Sequence, residues 1–140
     1  MTENFKREEF RSSDGAHFPY EVKQNLQVLA EQLEVLREHF QKPIQINSGY
    51  RSPNWNAKIG GAENSQHLLG KAADIVIEGI SPEEVADAIE FLIDGGMMKQ
   101  GGLGRYKDFT HYDIRGKKAR WDDKPKAKTR KKKNESEDSE

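Results

Sequence analysis

Apolar side chains recur along residues 22–40 with the spacing of one face of a helix. They stand four, three, four, three and four positions apart, at Val22, Leu26, Leu29, Leu33, Leu36 and Phe40. This spacing predicts an amphipathic helix, which ends before Lys42-Pro43 because proline cannot continue a helix. From Ile44 to Tyr50 apolar and polar residues alternate, and this pattern is typical of a β-strand with one buried face.

The second half of the chain predicts two further buried elements and a hairpin. Residues 72–77 form a nearly continuous apolar run, which indicates a buried strand. Ser81-Pro82-Glu83-Glu84 has the N-cap serine, the early proline and the glutamate of a helix start, and Gly95-Gly96 ends that helix. Residues 101–106 and 109–114 predict the two strands of a hairpin. Residues 51–66 are rich in glycine, serine and asparagine and are interpreted as a loop.

The predicted order of elements is helix, strand, loop, strand, helix and hairpin. It indicates an α+β domain in which a small central antiparallel or mixed sheet is flanked by helices. We assign residues 1–122 to this domain, because residues 123–140 are rich in charge and show no apolar periodicity. Such a segment cannot bury enough apolar surface to fold, so residues 123–140 are predicted to be a disordered charged tail.

Composition narrows the chemistry that the domain can carry. Cysteine is absent, which excludes disulfides and thiolate metal sites and leaves His, Asp and Glu as metal ligands. The net charge of −1 hides a basic run over residues 115–133, which carry 11 basic and 2 acidic side chains. A basic arm suggests nucleic-acid binding. However, residues 1–114 are net acidic and residues 134–140 are acidic again, so no nucleic-acid partner is expected.

Two short stretches contain the candidate metal ligands. His67 and Asp74 lie in the first, residues 65–74, and His111 lies in the second, residues 108–113. Burying the Asp74 carboxylate in an apolar strand without a partner is unfavourable, and a divalent cation is one partner that offsets this penalty. Two imidazoles and a carboxylate are a common ligand set for a zinc ion with an open position for water. A lone histidine or aspartate is more often structural, so the prediction depends on all three residues together.

Five motifs extend this picture along the chain. They are Ser48-Gly49-Tyr50-Arg51-Ser52-Pro53, Gly60-Gly61-Ala62, Ser65-x-His67-x-x-Gly70-x-Ala72-x-Asp74, Gly102-x-Gly104-x-Tyr106 and His111-x-Asp113. Together they resemble the zinc D-alanyl-D-alanine carboxypeptidase family of peptidoglycan peptidases, which includes phage L-alanyl-D-glutamate endopeptidases. The similarity covers about residues 5–121. It implies zinc bound by His67, Asp74 and His111 in a cleft on a central antiparallel sheet.

The resemblance also implies roles for residues around the metal. Arg51 matches an arginine that neutralises the substrate or the developing oxyanion, and Ser65 matches a serine that helps to hold the substrate. Two carboxylates compete for the role of general base, Asp108 three residues before His111 and Asp113 two residues after it. A strand places Asp113 on the same face as His111, so Asp113 is either the base or a residue that orients the histidine. We predict Asp108 as the base and keep Asp113 as its rival.

The function implied by the resemblance is zinc-dependent hydrolysis of peptide bonds in bacterial cell-wall peptidoglycan, and we expect the enzyme to be a monomer. Residues 1–6 contain no apolar signal-peptide core, and no stretch has the length of a transmembrane helix. We therefore expect no membrane partner, synthesis in the cytoplasm and action on the wall after release, as in a phage or prophage lysis enzyme. The alternative is a non-catalytic zinc-holding module that binds wall peptide or a protein partner, which the presence of Arg51, Asp108 and Asp113 opposes.

Overall fold

A computed structural model gives the fold of residues 1–123. Its five strands are β1 (Gln45–Ser48), β2 (Ala72–Val76), β3 (Gly102–Arg105), β4 (Thr110–Asp113) and β5 (Ala119–Asp122). They form one sheet in the order β1-β2-β4-β3-β5. The pairs β1–β2, β2–β4 and β3–β4 are antiparallel, and β3–β5 is parallel. The predicted α+β class is confirmed, with a sheet that is mostly antiparallel.

The register of β2 and β4 brings two distant parts of the chain face to face. Asp74 in β2 lies directly opposite His111 in β4. On the other side of β2, the register of β1 shifts between Ile46 and Ser48, so that Ser48 lies opposite Asp74. Side chains that are directly opposite on antiparallel strands stand about 5 Å apart, which is close enough for direct contact.

Two long helices, α1 (Tyr20–Phe40) and α3 (Pro82–Asp94), bury apolar faces in the core. In α1 five of the six predicted positions are buried, namely Val22, Leu26, Leu29, Leu33 and Leu36, and the sixth, Phe40, is partly buried against the core. Helix α3 starts with the predicted capping box: the Ser81 hydroxyl accepts from the amide of Glu84 at 3.1 Å, and the Glu84 carboxylate accepts from the amide of Ser81 at 3.3 Å. Helix α3 contacts β3 and β4, and α1 contacts α3.

A short helix, α2 (Pro53–Lys58), lies within the stretch that was interpreted as a loop. The loop prediction was therefore wrong for these six residues. The start signal is present, because the Ser52 hydroxyl accepts from the amide of Trp55 at 3.1 Å and proline occupies the first turn. However, so short a helix shows no apolar periodicity. A 3₁₀ turn, Gln66–Leu69, follows and ends at Gly70, whose φ of 73° is a left-handed conformation that glycine adopts without strain.

The described residues end just beyond β5. The amide of Asp123 donates to the carbonyl of Arg105 at 2.8 Å and extends the pairing with β3 by one bond. Apart from Asp123, the predicted tail of residues 123–140 lies outside the described residues. Within residues 1–123, no helix has both the length and the apolar character that a membrane crossing requires.

Candidate metal centre

Three different elements bring the predicted metal ligands together. His67 lies in the 3₁₀ turn, Asp74 lies in the middle of β2, and His111 lies in β4. All three are buried, with 3%, 7% and 7% of their surfaces exposed. One potential ligand atom from each residue lies within 4.8 Å of the other two. The three side chains are therefore close enough to share one ion.

Each histidine has one ring nitrogen engaged outside this group. Nδ1 of His67 lies 2.7 Å from the carbonyl oxygen of Gly49, which can only accept, so this nitrogen carries a hydrogen. Nε2 of His111 lies 2.7 Å from Oδ2 of Asp113 and, by the same reasoning, donates to that carboxylate. In a neutral imidazole the other nitrogen then has a free lone pair. These nitrogens are Nε2 of His67 and Nδ1 of His111.

Both lone pairs face the same carboxylate oxygen. Nε2 of His67 lies 3.3 Å, and Nδ1 of His111 lies 3.1 Å, from Oδ1 of Asp74. Two nitrogen lone pairs and an anionic oxygen repel one another unless a proton or a cation lies between them. The donor set therefore fits a divalent cation, and imidazole nitrogen with carboxylate oxygen is a combination that zinc binds.

The electrostatics of the group favour positive charge at the same place. Burial alone would raise the pKa of Asp74, but when protons rather than a cation occupy the facing nitrogens, hydrogen bonds from the protonated His111 and His67 outweigh burial and hold this pKa well below its usual value. Burial lowers the pKa of His111, yet its hydrogen bonds with Asp113 and Asp74 outweigh burial and raise that pKa. Asp74 is thus ionised at neutral pH, as a carboxylate ligand must be.

Arg51 stands beside the donor set, where its position is fixed by three contacts. Its Nη2 lies 3.5 Å from Oδ2 of Asp74, Nε donates to the Ser48 hydroxyl at 3.3 Å, and Nη1 donates to Oδ1 of Asn56 at 3.3 Å. Asn56 belongs to α2, so the helix that the sequence pattern did not predict positions the arginine. A Cβ at Gly61 would overlap the Asn56 side chain, which explains why glycine occupies that position.

Asp113 has no exposed surface, and both of its oxygens are fully engaged. Oδ2 accepts from Nε2 of His111 at 2.7 Å and from Nη2 of Arg115 at 2.8 Å. Oδ1 accepts from the amide of Gly102 at 2.8 Å and from the amide and Nε of Arg115 at 3.1 and 2.9 Å. Burial alone would raise the pKa of Asp113, but the bonds from His111 and Arg115 hold it well below its usual value. This carboxylate fixes the orientation of the His111 ring.

The remaining predicted residues occupy different places. Ser65 lines the cleft, and its hydroxyl accepts from the amide of His67 at 3.1 Å, so it also caps the turn that carries this histidine. Asp108 is exposed in the turn between β3 and β4. It is not among the described residues that line the cleft, although its neighbour Phe109 is.

The cleft above the donor set has a volume of about 450 Å³. The side chains in its wall that had no role assigned from the sequence include Tyr106, Phe109, Arg115 and Trp121. Tyr106 belongs to a motif that carried the family resemblance. Trp121 gave no signal beyond being a large aromatic residue near the predicted end of the domain, and it reaches the cleft because β5 pairs with β3.

Comparison with known protein families shows the family to which the chain belongs. A sequence profile described as Peptidase M15 matches residues 3–113, a span that includes all three candidate ligands. The chain belongs to the peptidase M15 family. The resemblance inferred from the motifs is thereby confirmed.

Several known proteins are similar to parts of the chain. Identity is 53% over 34 residues with the zinc D-Ala-D-Ala carboxypeptidase of Streptomyces albus G, which covers 24% of this chain and 13% of that protein. It is 37% over 79 residues with the peptidoglycan L,D-endopeptidase MepK of Escherichia coli K12, which covers 51% of this chain and 40% of that protein. The chain therefore spans less than half the length of these relatives. The structure of Serratia marcescens L-Ala D-Glu endopeptidase ChiX aligns with 69% of this chain and 88% of that chain, at 20% identity and a TM-score of 0.42.

Proposed function

We propose that this M15 chain is a zinc-dependent peptidase that hydrolyses peptide bonds of bacterial cell-wall peptidoglycan. The activity is of the D-Ala-D-Ala carboxypeptidase type or of the L-Ala-D-Glu endopeptidase type. One observation carries the proposal: the free nitrogens of His67 and His111 converge on Asp74 at the base of an open cleft. The names of the similar proteins, a zinc carboxypeptidase and a peptidoglycan endopeptidase, support the choice of metal and substrate.

The proposed zinc ligands are Nε2 of His67, Nδ1 of His111 and a carboxylate oxygen of Asp74. When bound, zinc supplies Lewis-acid chemistry that polarises a carbonyl group and makes water more acidic. Asp113 acts through His111: it holds the ring and keeps the hydrogen on Nε2, so that Nδ1 stays free for the metal.

The other roles follow from charge and position. The Arg51 guanidinium carries a positive charge and is held beside Asp74, so it stabilises negative charge on the substrate carbonyl oxygen. Ser65 lines the cleft and contributes to holding the peptide. Asp108 is proposed as the general base, because Asp113 is buried with both oxygens engaged, whereas Asp108 is exposed next to a residue of the cleft wall.

Digestion of purified peptidoglycan, with mass spectrometry of the released fragments, tests the proposal. Release of D-alanine identifies a carboxypeptidase, and new termini at L-alanine and D-glutamate identify the endopeptidase. His67→Ala is the control, and it should lose both activity and near-stoichiometric zinc in elemental analysis. Zinc-loaded protein that binds the wall without releasing any fragment would replace the proposal with the alternative, a non-catalytic zinc-holding module.

The setting of the activity is a separate proposal. We propose a phage or prophage lysis enzyme that reaches the wall from the cytoplasm through a membrane lesion. Expression in a bacterial host should then leave cells intact until a pore-forming protein is co-expressed, and His67→Ala should abolish the resulting lysis. Lysis without the pore-forming protein would contradict release through a lesion.

A further inference from the structure

Two aromatic side chains of the cleft wall, Tyr106 and Trp121, form a connected unit beside the donor set. Nε1 of Trp121 donates to the hydroxyl oxygen of Tyr106 at 2.8 Å. The Tyr106 ring stacks on Phe109, with centroids 4.4 Å apart and planes inclined by 13°. All three residues line the same cleft as Arg51 and the candidate ligands.

The direction of the Trp121–Tyr106 hydrogen bond determines where the tyrosine proton can go. An indole nitrogen can only donate, so the Tyr106 oxygen is the acceptor and its own hydrogen points elsewhere. Within residues 1–123, no hydrogen bond donated by the Tyr106 hydroxyl is present. Tyr112 differs, because its hydroxyl donates to the carbonyl of Lys99 at 2.7 Å. Tyr112 is a structural tyrosine, whereas Tyr106 keeps a donor available to a molecule in the cleft.

The unit is also fixed relative to the donor set. The Trp121 ring packs against His111, with centroids 4.9 Å apart, and the Arg115 guanidinium lies 5.5 Å from the centre of the indole. The indole also lies against Gly104, where any Cβ would overlap its Nε1. The tyrosine hydroxyl is therefore held by a ring that itself touches a candidate metal ligand.

We propose that Tyr106 is a catalytic residue that donates a hydrogen bond to the substrate carbonyl oxygen as that oxygen gains negative charge, and that Trp121 is its positioning residue. The inference rests on the proposed peptidase function and adds a neutral donor to the charge of Arg51. Preorganised donors of this kind act strongly in a partly buried cleft, because they need no reorientation during the reaction. Burial raises the pKa of Tyr106, so the hydroxyl keeps its hydrogen at neutral pH.

Tyr106→Phe is the direct test, because it removes the hydroxyl and keeps the ring that stacks on Phe109. The kcat for release of fragments from soluble muropeptides should fall on the order of a hundredfold, the usual effect of removing one such donor. The KM should change by less than about threefold, because the bond strengthens mainly in the transition state. Zinc content should be unchanged, since the hydroxyl is not a ligand. Tyr112→Phe is the matched control and should keep the wild-type kcat while it loses its own hydrogen bond.

Trp121→Phe tests the positioning role through non-additivity. It should lower kcat by about tenfold when Tyr106 is present and by less than about twofold in the Tyr106→Phe background. The reason is that both substitutions impair the same hydrogen bond, the one from the Tyr106 hydroxyl to the substrate. Additive effects in the double variant would overturn the positioning role. If the wild type cleaves muropeptides and Tyr106→Phe cleaves them equally fast, the catalytic role is wrong. If the wild type with full zinc cleaves nothing, the proposed function itself has failed.

Discussion

Replacing Asp113 with asparagine probes how the candidate metal centre is held without changing the shape of a buried side chain. If the amide oxygen keeps the bonds that Oδ1 receives from Gly102 and Arg115, the NH₂ group takes the place of Oδ2 and faces Nε2 of His111. His111 can accept from this group only when its hydrogen moves to Nδ1. Nδ1 is the nitrogen that faces Asp74, so the lone pair proposed for zinc is lost.

The size of the effect follows from the number of ligands involved. Residues that orient a ligating histidine contribute about 10–100-fold to metal affinity. A change of tautomer removes one of three proposed protein ligands, so we expect Asp113→Asn to weaken zinc binding by at least about a hundredfold. The unfolding free energy of the metal-free protein should fall by about 1–3 kcal/mol, because the amide opposes the Nη2 donor of Arg115. We expect a decrease in the lower half of that range, because the Arg115 side chain is 30% exposed and water can partly replace the hydrogen bond that its Nη2 loses.

Zinc affinity is measured by competition with a chromophoric chelator, and stability is measured by urea unfolding in the presence of a chelator. Asp108→Asn is the matched control, because it makes the same chemical change in the same hairpin at an exposed site. It should bind zinc within about twofold of the wild type while its turnover falls by roughly a hundredfold, as expected for loss of a general base.

Two results would refute this reasoning. A folded Asp113→Asn variant that binds zinc within about threefold of the wild type would show that Asp113 does not set the tautomer of His111. The reverse pattern, in which Asp113→Asn keeps zinc and loses turnover while Asp108→Asn keeps its turnover, would make Asp113 the base and reject the assignment of Asp108.

Three further outcomes are expected. Arg51→Lys should lower kcat/KM on muropeptides by at least about tenfold, because an ammonium group cannot make the three contacts of the guanidinium, and an unchanged value would leave Arg51 a structural residue. The hydrogen bond from Arg120 lowers the pKa of Glu90, so Glu90→Gln should reduce the unfolding free energy by about 0.5–1 kcal/mol at pH 7. The pKa of Glu90 is lower in the folded than in the unfolded protein, so the stability difference between wild type and variant is complete above the unfolded pKa of about 4.3. It should vanish as the pH falls through the folded pKa. Urea unfolding of both proteins at pH 7 and at a pH below the folded pKa checks this expectation. Truncation after Asp123 should preserve the melting temperature and muropeptide turnover while it weakens salt-sensitive pelleting with whole walls, since the removed segment carries 7 of the 11 basic side chains of the basic run; a lower melting temperature would show that this segment stabilises the domain.

The elements that sequence reasoning predicted well are those with a strong local pattern. Helix α1 repeats an apolar spacing over five turns, and the four residues of the capping box are a sequence signal for the start of α3. The three candidate ligands were also chosen from local motifs, and the structure brings them within reach of one another. Strand alternation put Asp113 on the face of His111, and the structure has the two side chains in contact.

The choice between Asp108 and Asp113 could not be made from the same patterns, because it depends on what engages each carboxylate. Arg115 reaches back to Asp113, and the amide of Gly102 on the neighbouring strand completes the set. A Cβ at Gly102 would overlap the Asp113 carboxylate, so the small residue and the buried acid depend on each other. No periodicity along a single strand reports such a contact between strands.

Strand β5 shows how the cleft depends on residues beyond the family match, which ends at residue 113. Arg120 of β5 donates to the Glu90 carboxylate on α3 at 2.7 Å and to the carbonyl of Gly101 at 2.7 Å, and so fixes the strand beside β3. Side chains alternate along a strand, so this anchor directs Trp121 to the opposite face, against His111 and towards Tyr106. A segment of four residues therefore joins helix α3 to the wall of the metal cleft. Loss of the Arg120 contacts would therefore change the position of the Tyr106 hydroxyl, even though Arg120 itself is not among the described residues of the cleft wall.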